Sequence, residues 1–510
     1  MTTDTALIGL VFGPLLVACA LVVLRGGVGA WLREALVLVA VLAPFAFLVP
    51  ATLALQDAQV IELVIGGHPP PLGIGLRLDA LSLLMLWLVA LVGGATGLHA
   101  RAAYPPRGRE GERFWPVWLL VMAGLNGFFL SSDLFNLYVL IELVTLGGVA
   151  LVAYSRKGTA LVAAMRYLLL AMLASLAYLL ALALLYGEHG TLDLYQLTDA
   201  VGSGSVATRT ALALATVSLL LKAAIFPLHV WLPPAHSSAP GPVSAVLSAL
   251  VVKTALYLLY RLWFWTLGGT PPAGVATALG VLGAAAILYG SVAALVQTRL
   301  KVMVAYSTVA QLGYLMLVFP LTHGATLAVG AVAWHGAVYH VISHGLAKSA
   351  MFLAVANMLR GLGSDRLDAL AGVDRRLPLS VFAFGLAGVS LMGLPPSGGF
   401  LAKWLMLEAA WAGGAWGWMA VLLVGSLLAS VYVFRALGAM FRAAGAAGDT
   451  ARASAAAPQP VPRVMELTAL ALAMLAVIAG FGSAPVFGLL DAGPPFPLLD
   501  PTLPASGVDP

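Results

Sequence analysis

The chain has one cysteine among 510 residues, and only 9% of its residues are charged. A lone sulfur, Cys19, cannot build a disulfide framework, a thiolate zinc site or an iron–sulfur cluster, each of which needs several. Neither a G-x-x-x-x-G-K-[ST] phosphate loop nor a G-x-G-x-x-G opening a helix after a strand is present, so ATP hydrolysis and nicotinamide binding have no sequence basis. No cofactor and no metal site is expected. The start, Met1-Thr2-Thr3-Asp4-Thr5, lacks a basic n-region, which argues against a cleaved signal peptide and for retention of the first helix. The net charge of +5 has no basic soluble domain to carry it, so nucleic-acid binding is not expected. Ordinary globular domains carry about 25% charged residues, and a fold of this size with so few cannot clothe its surface in water.

What is abundant is apolar: 61% of residues are hydrophobic and the mean hydropathy is +0.99. Runs long enough to cross roughly 30 Å of hydrocarbon recur from end to end, predicting an all-α polytopic membrane protein. Polar and Pro/Gly breaks divide the chain into about fourteen segments, near 6–24, 33–54, 79–100, 114–131, 134–154, 161–186, 210–230, 242–265, 274–297, 302–320, 326–357, 379–411, 416–441 and 465–490. Of the 26 basic residues, 19 fall in or beside the loops after segments 1, 3, 5, 9, 11 and 13, and only Arg77, Arg209 and Arg261 fall in the alternate loops. The excess of Lys and Arg marks the cytoplasmic side, which predicts a multi-pass plasma-membrane protein with both termini outside, the acidic, proline-rich stretch 491–510 among them. The polar stretch Ala443 to Arg463 reads as an Ala/Gly/Pro linker on the inner side.

The four remaining basic residues are all lysines within predicted spans: Lys222, Lys253, Lys348 and Lys403. Glu142 joins them in segment 5. Five charges at mid-membrane would cost roughly 12–18 kcal/mol if they faced lipid, so they face protein or water. Lys222 is followed by Pro227, Pro233, Pro234, Pro240 and Pro242, and Lys403 follows Pro395-Pro396. Proline deletes a helical hydrogen bond and frees a carbonyl, tolerated at membrane depth only where protein or water takes it up. Segments 7 and 12 are therefore expected to be broken helices. Interruptions at corresponding places in two halves point to inverted repeats with ion sites near the midplane. The expected organisation is 1–113 for helices 1–3, 114–265 for a first five-helix repeat, 274–441 for a second, 464–490 for helix 14, and 491–510 for the tail. In segment 11, His340, His344 and Lys348 are spaced i, i+4, i+8 along one helix face, and His335 lies one turn before Tyr339. Histidine changes charge near neutral pH, so such a stripe can pass protons.

The runs Asp133-Leu-Phe-Asn-Leu-Tyr-Val-Leu-Ile-Glu142, Leu221-Lys-Ala-Ala-Ile-Phe-Pro-Leu-His-Val-Trp-Leu-Pro-Pro-Ala-His236, Pro242-Val-Ser-Ala-Val-Leu-Ser-Ala-Leu-Val-Val-Lys253, His344-Gly-Leu-Ala-Lys348 and Gly399-Phe-Leu-Ala-Lys403 resemble the antiporter-like subunits of respiratory complex I and of Mrp-type sodium/proton antiporters, over roughly residues 75 to 440. The entry to segment 5 and the ending soon after segment 14 look closest to the D-type member of the Mrp complexes. The resemblance implies that Glu142 and Lys222 form the coupled acid–base pair of a first half-channel. It makes Lys253 the central link, His335, His344 and Lys348 the central relay, and Lys403 the terminal residue of a second half-channel. Some relatives carry glutamate at that last place. Glu408 lies about 140° around the helix from Lys403 and is not expected to substitute. His340, His229 and His236 are further candidates.

The resulting expectation is a proton-translocating subunit that exchanges H⁺, and with partner membrane subunits Na⁺, across the bilayer. The nearest rival is a proton-pumping subunit of NADH–quinone oxidoreductase or of a membrane-bound hydrogenase, which would use the same charges and make the chain part of a translocase. A third possibility is a scaffold whose lysines hold neighbouring subunits. For single residues the alternatives are structural: a static Glu142–Lys222 pair, satisfied core histidines at 335 and 344, and His229 and His236 capping the break in segment 7. Asp133 is expected to cap segment 5, and Trp231, Trp263 and Trp265 to be mostly interfacial anchors.

Overall fold

The structure, a computed structural model, describes every residue except 1, 24–28, 72, 202–203, 267–270, 444–456 and 492–510. The expected outward tail therefore lies outside the described residues except for Asp491, and so does most of the linker before segment 14.

Eleven of the described helices are long and apolar enough to cross a membrane. They coincide with segments 1–6, 8–11 and 13. The other three segments are interrupted: segment 7 runs Val206–Lys222 and resumes at Leu232–Ser238, segment 12 runs Pro378–Met392 and resumes at Gly398–Ala412, and segment 14 runs Arg463–Ile478 and resumes at Ala484–Asp491. The interruption in segment 14 departs from the single span expected there. At this break a Cβ on Gly480 would stand 1.6 Å from the Pro396 carbonyl oxygen. The end of segment 14 thus presses backbone to backbone on the break in segment 12.

Cap residues set the starts of several helices. Asp79 accepts from the Ser82 backbone N–H in a reciprocal capping box, and Ser205 and Ser397 cap segment 7 and the second half of segment 12. Asp133 accepts from the Asn136 N–H at 2.6 Å and so caps segment 5, as expected.

The loops sort onto two faces. Arg33 pairs with Glu112 at 2.5 Å and Arg101 with Glu34 at 2.7 Å, joining the loops after segments 1 and 3. On the same pattern Arg299 pairs with Asp365 at 2.9 Å, joining those after 9 and 11. The alternate loops meet one another instead, for Asp133 bridges to Asp193 and Leu76 to Ser131. Two short strands, β1 (Ile61–Ile65) and β2 (Ile74–Leu78), pair antiparallel there with Ile61 opposite Leu78. Gly66 and Gly67, both at positive φ, turn the chain out of β1, a local signal that a search for spans passes over.

Segment 8 (Gly241–Thr266) is the innermost helix, buried along its whole apolar window. It contains two π-helical turns, Leu247–Val251 and Arg261–Thr266. Two sequence expectations change here. Arg261, counted as a loop residue, is 2% exposed and donates to Asp79 Oδ1 at 2.6 Å. Trp231 and Trp263, read as interfacial anchors, are buried and donate through their indole N–H groups to the Leu221 carbonyl and Thr216. Hydropathy reports composition along one helix and is blind to the neighbours that cover its ends. Segment 11 (Leu327–Leu362) has 36 residues and spans about 54 Å; it packs against segments 3, 8, 10, 12 and 14.

Candidate functional site

Each break frees carbonyls that the chain takes up again locally. At the end of the first half of segment 7, Ile225 N–H donates to Leu220 O and Ala224 N–H to Leu221 O, with Ala224 at φ 55°. The Leu221 carbonyl also receives the Trp231 indole at 3.0 Å. In segment 12, Leu394 N–H donates to Val389 O, Gly393 sits at φ 79°, and the Leu391 carbonyl receives Lys403 Nζ at 2.8 Å. The two lysines stand on opposite sides of their breaks: Lys222 ends the half before, Lys403 lies in the half after.

Lys222 Nζ donates to Glu142 Oε1 at 2.7 Å and to Ser175 Oγ at 2.9 Å, while the Ser175 hydroxyl contacts the same carboxylate oxygen. A small cavity beside the pair is lined by Thr145, Tyr167, Lys222, Trp231, Val251 and Thr254 among others, so it leads from Lys222 to segment 8. There the first π turn places the Ser248 carbonyl within 2.9 Å of Lys253 Nζ, and Ser248 Oγ meets Thr308 Oγ1 of segment 10 at 2.9 Å. π turns inside α-helices are frequent at functional sites.

Lys253 and His344 face each other because segments 8 and 11 approach closely. A Cβ on Gly345 would lie 3.4 Å from the Ala249 carbonyl. The His344 ring stands within electrostatic reach of Lys253, Lys348 and Lys403 and stacks on His340 at 5.7 Å. His340 lies 5.4 Å from the Tyr314 ring, over which Lys403 Nζ sits at 4.4 Å. Lys348 Nζ donates to the Val304 carbonyl at 2.6 Å and to Ser307 Oγ at 2.5 Å. Among the described residues, Lys253, Lys348 and Lys403 have no carboxylate partner, and only Lys222 has one. Both ring nitrogens of His344, and both of His236, are buried without a protein hydrogen bond. Such atoms are where internal water binds.

Lys253, His344, His340, Lys348 and Lys403 therefore form one cluster across segments 8, 11 and 12, and the Glu142–Lys222 pair of segments 5 and 7 stands beside the small cavity that reaches Val251 and Thr254 of segment 8. His236 is fully buried below the cluster, stacked on Phe352 at 4.6 Å, with Lys348 Nζ 5.8 Å from the same ring. On the far side of His236, Lys301 donates to the Ala239 carbonyl and lines a cavity of about 720 Å³ that opens on the basic-loop face. His229 lies apart at the break, against Phe226 and Tyr289. His335 also lies apart from the cluster; its Nε2 meets Asp491 Oδ1 at 2.9 Å and its ring stacks on Phe487 at 5.0 Å, both at the end of segment 14. Glu408 is exposed and turned away from Lys403.

Sequence reasoning passes over Ser175, Ser307, Thr308, Gln311 and Lys301. The signal for the first four is a polar residue in an otherwise apolar run. Gln311 illustrates it, donating to the Leu391 carbonyl at 3.4 Å beside Lys403. Lys301 counts with a loop because it sits one residue inside a helix start.

The family model described as NADH:quinone oxidoreductase/Mrp antiporter, transmembrane, matches residues 131–429. The N-type chain of NADH-quinone oxidoreductase from Desulforudis audaxviator is 39% identical over 378 residues, covering 73% of this chain and 74% of that one. The D-type chain of a Na⁺/H⁺ antiporter from Alkalihalophilus pseudofirmus is 26% identical over 431 residues, covering 84% of each. Among solved structures, a chain of the Mrp complex from Dietzia sp. DQ12-45-1b superposes with a TM-score of 0.86 at 26% identity, covering 96% of this chain and 97% of that one.

Proposed function

The chain belongs to the NADH:quinone oxidoreductase/Mrp antiporter family, and from that premise we propose that it is the proton-translocating subunit of a multisubunit monovalent cation/proton antiporter of the Mrp type. The observation that carries this reading is the buried Glu142–Lys222 pair together with the buried cluster from Lys253 to Lys403. Their cations have exchangeable protons, and all but one lack a counter-ion among the described residues. Ionisable groups inside a membrane protein are functional by default.

In this mechanism Glu142 and Lys222 act as the switch. When the pair is closed, the carboxylate holds the Lys222 proton; when it opens, the lysine surrenders that proton towards Lys253. Lys253, His344 and His340 pass it on, Lys403 terminates the row, and Lys348 feeds the same line. His236 and Lys301 connect Lys348 with the cavity on the basic-loop face. His335 serves the end of segment 11 near Asp491 and His229 the break in segment 7. The breaks in segments 7 and 12 support two inverted five-segment units, 114–265 and 274–441, each interrupted in its fourth segment. Helices 1–3 (1–113) precede them, and helix 14 (464–490) with the tail (491–510) follows. The basic loops lie on the cytoplasmic face of the plasma membrane, with both termini outside. Partner membrane subunits complete the ion path, and Na⁺ is the exchanged cation.

The identity to an N-type oxidoreductase chain favours a second reading, a proton-pumping subunit of a redox-driven complex. Na⁺-dependent proton movement in everted vesicles, with and without the neighbouring subunits, separates the two. The antiporter reading predicts exchange that needs Na⁺ and the partner subunits; proton movement driven by NADH and indifferent to Na⁺ contradicts it. Lys222→Arg keeps the positive charge but not the exchangeable proton. It is expected to assemble normally and lose exchange, whereas normal exchange would make the pair a static strut.

A further inference from the structure

A cavity of about 1050 Å³ lies on the basic-loop face, away from the buried cluster. It is formed where the loops after segments 3 and 5 meet the end of segment 11 and the start of segment 14. Five cations line it, Arg109, Arg113, Arg156, Lys157 and Arg360, against one carboxylate, Glu110. None of the five has an ion-pair partner among the described residues; Arg360 alone is engaged, donating to the Pro460 carbonyl at 2.9 Å. Elsewhere on this face Arg33 is paired with Glu112 and Arg101 with Glu34. Like charges held around one concavity repel one another and gain from an anion placed between them.

The rest of the lining identifies the anion. Towards the membrane the cavity is walled by Val117, Ala150 and Leu161, with Leu161 47% exposed, and flanked by Tyr104 and Tyr154. The Tyr154 hydroxyl donates to the Glu110 backbone carbonyl, which fixes one rim. Cations above, aromatic rings at the interface and an apolar wall below match a molecule with a phosphodiester head and acyl tails. Basic pockets between transmembrane helices on this face suit anionic headgroups. We infer that this cavity is a binding site for an anionic membrane phospholipid, its phosphate held by Arg109, Arg113, Arg156, Lys157 and Arg360 and its chains along Val117, Ala150 and Leu161. The inference stands whether or not the ion-exchange reading does.

The test is native mass spectrometry of the intact complex titrated separately with phosphatidylglycerol, phosphatidylcholine and inorganic phosphate. The site predicts selective retention of phosphatidylglycerol, weakened at least about tenfold by the double substitution Arg113→Gln, Arg156→Gln. Glu110→Gln removes the opposing carboxylate and is expected to tighten retention several-fold, which keeps the test decisive if the double variant does not assemble. Equal retention of phosphatidylcholine, or retention unchanged in both variants, overturns the site. Binding of inorganic phosphate with no lipid retained overturns its assignment to a lipid.

Discussion

Gly393 shows how tightly single positions are held. It adopts φ 79°, and a Cβ there would stand 2.8 Å from Lys403 Cδ. Gly393→Ala meets both obstacles at once. It is expected to destabilise the protein by about 1–3 kcal/mol and to displace the lysine, seen as a lower melting temperature together with reduced exchange. The Asp79–Arg261 pair makes a different prediction. Asp79 caps the helix Ala80–Ala103 from outside it. Burial alone would raise its carboxyl, but the Arg261 guanidinium at 2.6 Å outweighs it and holds the carboxyl below its ordinary value. A group depressed in the folded state stabilises above its unfolded pKa of about 3.9, and that contribution is lost as pH falls through the folded value. Asp79→Asn leaves a buried guanidinium without its counter-ion and should cost about 3–5 kcal/mol near neutral pH; denaturant unfolding as a function of pH checks both the size and the acid-side loss. The charged residues of the buried cluster were legible because a charge in an apolar run is conspicuous. Ser175 and Gln311 were not, since neutral polar residues occur throughout helices and only a partner across the interface gives them meaning. The resemblance also grouped His335 with His344, but nine residues place it about 13 Å further along the helix, where Asp491 and Phe487 receive it.

Among elements, the breaks in segments 7 and 12 were written in prolines, whereas the two π turns of segment 8 were not. A π turn adds one residue to a helical ring without a residue type to announce it, and the one at Leu247–Val251 settles which carbonyl faces Lys253. The third break, in segment 14, carries a glycine signal at Gly480 and Gly482, and the Pro396 backbone lying against Gly480 leaves no room for a side chain there. Within segment 12 the two half-helices touch closely: a Cβ on Gly399 would lie 1.9 Å from the Ser390 carbonyl oxygen. Backbone cannot yield as a flexible side chain does, so Gly399→Ala must push the halves apart. The expected outcome is a large loss of assembled protein, or an assembled protein without exchange; wild-type levels of both in membrane preparations would show that the break tolerates separation.

At the scale of the molecule, charge counting along the sequence already divided the loops into two sets, and the ion pairs and bridges at each face join loops of one set only. The apolar bulk and the segment pattern therefore made the class of fold legible. The internal line was less so, because its continuity depends on helices that are distant in sequence, such as segments 5, 8 and 12. Lys253 is the residue on which that line depends most cleanly. Among the described residues its side chain hydrogen-bonds to the Ser248 carbonyl of its own helix alone, so removing its charge severs no strut between helices. Lys253→Met, of similar length and apolar, should fold and assemble. The decisive measurement is Na⁺-dependent proton exchange by the assembled Lys253→Met complex in everted vesicles, compared with the unsubstituted complex at equal abundance. A continuous proton path predicts no exchange above background; exchange at the unsubstituted rate would mean that protons cross without passing the centre of the row.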